Sequence, residues 1–213
     1  MEKKINVLVS GLHWSGSSAV YDLLKEYENV GFAPDEFDEF RRPGMVADHL
    51  SNRINNGYPS KLRSFFITKV KHKYLLKFYS DVIRLNNLKS VFTIPVDFWK
   101  DYKRYKPLVE LEKKLLVSSE DEKYKCVDQW VESIQERFSE NKSFIVFDQP
   151  LLFNQHLSVW PKVFNPFKLI IVYRDPRDQF ADIIQKNHLF LDYYSAPTGG
   201  VAEIYGGDRD GAI

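Results

Sequence analysis

Apolar positions along the chain form short continuous runs separated by stretches of helical spacing, and the first such pair is the sharpest. Ile5, Val7, Leu8 and Val9 make a run typical of a strand covered on both faces, while Val20, Leu23 and Leu24 recur at helical intervals. The same succession returns late in the chain. Leu169 to Val172 reads as a buried strand, and Asp175 as the N-cap of a helix with Pro176 at its first position and Asp178 near its positive end. Val30 to Phe32 and Ser143 to Phe147 read as two more strands. The intervening sequence is mainly helical. From Lys61 to Leu88 few breakers occur, although Phe65 to Val70 also admits a strand, and Ser119 followed by Glu122 makes a capping box for a helix reaching about Ser139. Strands alternating with helices predict one three-layer α/β/α domain with a central, mainly parallel sheet.

The loop between the first strand and helix is where chemistry is expected. A backbone turning at Gly11 and Gly16 can aim several N–H groups inward, and the helix that follows adds the positive end of its dipole, so an anion is favoured there. Ser15, Ser17 and Ser18 would supply hydroxyls. Gly11, four residues, Gly16, Ser17 and Ser18 nearly fit the Walker A pattern GxxxxGK[ST], but Ser17 stands where the lysine belongs. That lysine is the charge that holds the β and γ phosphates of a nucleoside triphosphate, so its absence argues against an ordinary ATPase or kinase. At the other end, Arg174 falls just beyond a strand and before a helix. In open parallel sheets this edge binds ligands, and a guanidinium there can grip a phosphate through two hydrogen bonds. The plainer alternative is that Arg174 or Arg177 pairs with Asp175 or Asp178 at the surface.

Together the two segments resemble the sulfotransferase family, which is built on a P-loop NTPase-like α/β fold and uses 3′-phosphoadenosine 5′-phosphosulfate as donor. Ser10 to Leu24 looks like that family's 5′-phosphosulfate loop, in the SGSS form found among carbohydrate sulfotransferases, and Tyr173 to Asp182 looks like its 3′-phosphate segment. The resemblance implies that the backbone and hydroxyls of Gly11, Trp14, Ser15, Gly16, Ser17 and Ser18 hold the 5′ end of the donor, and that Arg174 holds its 3′-phosphate, with Asp182 beside it. Two positions depart from the family. Trp14 stands where many members carry Lys or Arg, which makes the adjacent His13 the candidate for the missing cation. Asp182 stands eight residues after Arg174, where relatives often place a serine, and a carboxylate there would repel a phosphate unless it turned away.

Sulfuryl transfer asks for a base that takes the acceptor's proton and for fixed donors that stabilise charge on the leaving phosphate. No metal is obligatory. The base is expected after the second strand, in the acidic run Asp35, Glu36, Asp38, Glu39; Glu36 is the first candidate, Asp38 or Glu39 the next, with His49 and Asp148 as further choices. Two rival readings remain: an atypical P-loop kinase or other nucleotide enzyme, and a non-catalytic module that keeps the phosphate cradle. The acceptor would be a small molecule or a carbohydrate.

Composition narrows the classes without choosing among them. The chain has 213 residues, of which 44% are hydrophobic and 28% charged, ordinary values for one globular domain with a sizeable core. A net charge of +1 does not suit a general nucleic-acid binder. No apolar run approaches the roughly 20 residues that span a bilayer, and the first strand begins too early for a signal peptide, so a cytoplasmic location is expected. Cys126 is the only cysteine, which excludes an internal disulfide, and no Cys/His cluster has metal spacing. Lys61, Arg63, Lys69, Lys71, His72, Lys73 and Lys77 form a basic cluster that reads as a solvated face or as contact for an anionic acceptor. The stretch 195–213 is glycine-rich and reads as a mobile tail, and the early stop suggests a fragment or a short family member.

Overall fold

The protein is described from a computed structural model covering residues 4–11, 15–83, 90–139, 141–151, 157–178 and 181. Four strands, β1 (Ile5–Gly11), β2 (Val30–Glu36), β3 (Phe144–Asp148) and β4 (Phe167–Val172), form one sheet in the order β2-β3-β1-β4, and every pairing is parallel. The inner strands are β3 and β1. The phosphate loop is expected to follow β1. This strand pairs with β3 from Ile5↔Phe144 to Val9↔Asp148 and with β4 from Asn6↔Phe167 to Gly11↔Val172.

Alternation along β1 sends its side chains to two separate cores. Val9 packs with Val146 and with Tyr21 of the first helix, α1 (Ser17–Leu24), joined by Val7, Val20 and Ile170. Leu8 faces the other way, into the larger core with Ile145 and Phe147. That core is closed by two long helices, α6 (Ser90–Val117) and α7 (Glu120–Phe138), and by the single-turn α8 (Trp160–Val163). The sheet is thus covered on both faces, which explains why its strands read as unbroken apolar runs. The expected α/β/α sandwich is the observed one.

The acidic segment after β2 is pinned by an aromatic cluster. Phe37, 1% exposed, stacks on Trp130 of α7 at 5.3 Å and meets Phe147 of β3 at 4.9 Å and Phe164 at 6.2 Å. Its backbone N–H also donates to the Asp148 carbonyl (2.8 Å). Two short helices follow, α2 (Asp38–Arg41) and α3 (Val46–Leu50), then a helical stretch comprising α4 (Leu62–Phe66), a wider-wound turn Ile67–His72, α5 (Lys73–Phe78) and a second wide turn Tyr79–Ile83. Phe65 to Val70 is therefore helical, not a strand. Phe65 meets Tyr105 and Tyr74 meets Phe98 edge to face, so packing against α6 decides the matter where β-branched and aromatic composition left it open.

The basic residues of this stretch are partly paired across the same contact. Lys73 reaches Asp101 at 2.8 Å and Lys77 reaches Asp97 at 3.8 Å. The capping box at the start of α7 is present as expected, with the Ser119 N–H donating to Glu122 (2.9 Å). No helix among the described residues is long and apolar enough to cross a membrane.

Replacing Phe37 with alanine removes the ring that joins α7, β3 and the acidic segment, and is expected to cost about 3–5 kcal/mol of stability in urea unfolding. A loss below about 1 kcal/mol would mean that the segment is not anchored there.

Candidate functional site

Two of the sheet's three crossovers run in opposite directions on opposite faces. From β1 the chain passes through α1 to β2, beyond β3; from β3 it passes on the α7 side through α8 to β4, beyond β1. That reversal falls between β1 and β3, and the crevice at the carboxyl ends of strands at such a switch point is where open parallel sheets bind ligands.

The phosphate-loop residues stand at this point. Gly11 ends β1, and a Cβ there would lie 2.0 Å from Ser15 Oγ and 2.9 Å from the Val172 carbonyl, so the loop folds back on a position that only glycine can fill. Gly16, with φ of 91°, is left-handed and turns the chain into α1. No side chain caps α1 and no acidic residue stands in its first turn, so its leading N–H groups keep their capacity for an anion. The Oγ atoms of Ser10 and Ser15 are buried without a hydrogen-bond partner among the described residues. Ser18 is exposed. His13 and Trp14 lie outside the described residues, as do Asp182 and the stretch 195–213.

The residue that follows Asp148 holds the loop together. Gln149, in the left-handed region at φ of 50°, donates from Nε2 to Ser17 Oγ and accepts from the Gly11 N–H at 3.3 Å, while its own N–H bonds the Val9 carbonyl at 2.8 Å. A non-glycine residue in that conformation costs of order 1 kcal/mol or more. Its three hydrogen bonds to β1 and the loop offset that strain.

Arg174 lies two residues beyond Val172, the partner of Gly11, and so reaches the same edge of the sheet from β4. It is half-buried. Arg177 is engaged elsewhere. Its guanidinium pairs with Asp175 at 2.6 Å, and the Asp175 carboxylate also accepts the Arg177 N–H at 2.8 Å, as the N-cap reading predicts for a helical turn at Pro176 to Asp178. The surface pair thus forms between Asp175 and Arg177.

The acidic run divides by environment. Asp38 is buried, with Arg41 at 2.9 Å on one oxygen and Arg42 at 2.7 Å on the other, so it organises the segment through two guanidinium groups. Arg41 also pairs with Glu36, whose side chain is 51% exposed. Glu39 is buried, bonded by Arg104 of α6 at 3.2 Å, with its second oxygen unpartnered among the described residues; burial raises its pKa and Arg104 opposes that rise. Arg104 continues to Asp35 at 2.7 Å. No sequence pattern foretells Arg104, which comes from a helix some seventy positions away. His49 lies inside, with Nε2 2.9 Å from Ser60 Oγ, and burial lowers its pKa to about 4.

Asp148 is a second carboxylate altered by its setting. It is 7% exposed, stands opposite Glu36 in the β2–β3 register, and its Oδ1 has no partner among the described residues. Burial, followed by repulsion from Glu36, raises its pKa from 3.8 to about 6 despite the pull of Arg41. The arrangement brings together the uncapped N–H groups at the start of α1, a guanidinium just beyond the adjacent strand β4, and a buried carboxyl group with a raised pKa.

Compared with protein-family models, with curated proteins and with solved structures, the chain matches none.

A raised carboxyl pKa makes the folded state bind the proton more tightly than the unfolded one, so Asp148 costs stability above about pH 6 and ceases to do so toward pH 4. Asp148→Asn is expected to raise stability at pH 7.5 by on the order of 2 kcal/mol, a gain that shrinks as pH falls through that window. Urea titrations at both pH values measure it; an unstabilised variant at pH 7.5 would contradict the assignment.

Proposed function

We propose that the protein is a sulfotransferase that moves a sulfuryl group from 3′-phosphoadenosine 5′-phosphosulfate to a hydroxyl or amine acceptor, a carbohydrate being one candidate. The carrying observation is the register Gly11↔Val172, which brings the serine-rich loop and Arg174 to one edge although some 160 positions separate them. A donor with phosphate at both its 5′ and 3′ positions calls for two anion sites so arranged.

The residues fit that donor. The uncapped N-terminus of α1, the turn at Gly16 and the unpartnered hydroxyls of Ser10 and Ser15 would hold its 5′ end, and Arg174 its 3′-phosphate. The bound donor supplies the sulfuryl group and a phosphate leaving group. On the protein's side, Gln149 fixes the Ser17 hydroxyl and the Gly11 N–H, so the loop need not reorganise as charge shifts. Asp148 would take the acceptor's proton, its free oxygen and raised pKa supporting that role. Glu36, held by Arg41, adds its charge to the burial that raises the Asp148 pKa and is the alternative base. His13, beside Trp14, is the residue to substitute in testing for a loop cation.

One observation favours a second reading. A buried aspartate ending the strand beside the phosphate loop, after the run Phe144 to Phe147, has the position of the Walker B carboxylate that holds Mg²⁺ in P-loop phosphoryl-transfer enzymes. The missing lysine weighs against it.

Thermal shift separates the two. Adenosine 3′,5′-bisphosphate at about a hundred times its dissociation constant should stabilise the protein by about 2.7 kcal/mol, and Arg174→Ala should lose most of that gain. Stabilisation by ATP with Mg²⁺ alongside indifference to the bisphosphate would overturn the donor. In sulfuryl-transfer assays the rate should rise with pH through a midpoint near 6, and Asp148→Asn should lower kcat by about 100-fold or more while bisphosphate binding persists. An Asp148→Asn variant with undiminished kcat would transfer the base to Glu36.

A further inference from the structure

Away from the crevice, α6 and α7 diverge to leave a groove of about 550 Å³, within the size range of small-molecule sites. Its floor is apolar: Leu111 and Trp130 are buried there, with Pro107 and Cys126 on the walls. Its rim is basic. Lys103, Lys106 and Lys114 project from one face of α6, since their spacing of three and eight residues returns to the same side of a helix. Glu110, the acidic residue among them, is held by Lys113 at 3.1 Å. Among the described residues none of the three rim lysines has a carboxylate within ion-pair distance.

We infer that this groove binds a single-chain anionic amphiphile, with the alkyl chain along the Leu111–Trp130 floor and the anionic head among the rim lysines. Charge and shape both support that occupant. An apolar floor alone would accept any hydrophobe, but three lysines face one rim carboxylate, Glu110, which Lys113 engages and whose charge also acts on Lys106; the rim stays positive and selects a negative head, and the lysine alkyl stems can line the chain while the ammonium groups stay in water. A docked protein would bury roughly 800 Å² on each side, a contact extending well beyond this groove. The inference is independent of the donor assignment, because no residue of the phosphate crevice lines the groove.

Cys126, the only cysteine, makes the groove separately measurable. In the full chain, the rate of Cys126 alkylation by a maleimide is followed with dodecyl phosphate kept below its micelle threshold. At about ten times its dissociation constant, dodecyl phosphate should slow alkylation by about tenfold. Dodecyl maltoside, with the same chain and a neutral head, and inorganic phosphate, with no chain, should each change it less than about twofold. The combined variant Lys106→Glu with Lys114→Glu should abolish protection by dodecyl phosphate, with an unchanged unfolding midpoint in its absence. If that variant is less stable, Lys114→Ala carries the comparison and should weaken protection by about threefold or more. Absence of protection by dodecyl phosphate, equal protection by maltoside, or protection by inorganic phosphate alone would overturn the proposal.

Discussion

Everything at the crevice depends on the register of β1 with its two neighbours. Parallel pairing with β3 sets Val9 opposite Asp148, and pairing with β4 sets Gly11 opposite Val172. A slip of one residue in either ladder would send Val9 toward the larger core and Leu8 toward α1, exchanging two packed surfaces at once. Burial on both faces therefore enforces the register, and the register delivers the loop, Asp148, Gln149 and Arg174 to a common edge. Function is positioned by hydrophobic packing that lies entirely beneath it.

Above that packing, charge is arranged at a cost. Asp38, Glu39 and Asp148 are all buried, and only Asp38 has both oxygens engaged. Arg41 and Arg104 act as distributors, each serving two carboxylates at the end of β2. Such ion pairs add little net stability, because desolvation offsets most of their attraction, but they fix geometry. Asp35 and Gln149, both at positive φ, mark the same edge with backbone strain. Unpaired oxygens and strained backbone gathered at one crevice are what a site kept for chemistry would display.

Much of this was legible in the sequence, for identifiable reasons. The four strands and α7 carry their own signals: apolar runs where both faces are covered, and a capping box where Ser119 precedes Glu122. Gly11 and Gly16 could be read as turn positions, and each has its reason: a Cβ at Gly11 would collide with Ser15, and Gly16 takes a positive φ that other residues rarely adopt. What could not be read were contacts made across long separations. Gln149 reaching Ser17, and Arg104 reaching Glu39, depend on helix and strand placement that no local pattern encodes. Asp38 looked interchangeable with its acidic neighbours, and only its position inward from Phe37 distinguishes it. The Phe65 to Val70 ambiguity was likewise resolved by a partner, Tyr105, and not by propensity.

The central claim is that the loop after β1 and Arg174 after β4 form two halves of one site for a doubly phosphorylated adenosine. Calorimetric titration with adenosine 3′,5′-bisphosphate and with adenosine 5′-monophosphate, in wild type and Arg174→Ala, addresses it most directly. The account predicts that Arg174→Ala weakens the bisphosphate by about tenfold or more, about 1.4 kcal/mol, while the monophosphate is unaffected. Equal losses for both ligands, or no loss for either, would contradict it.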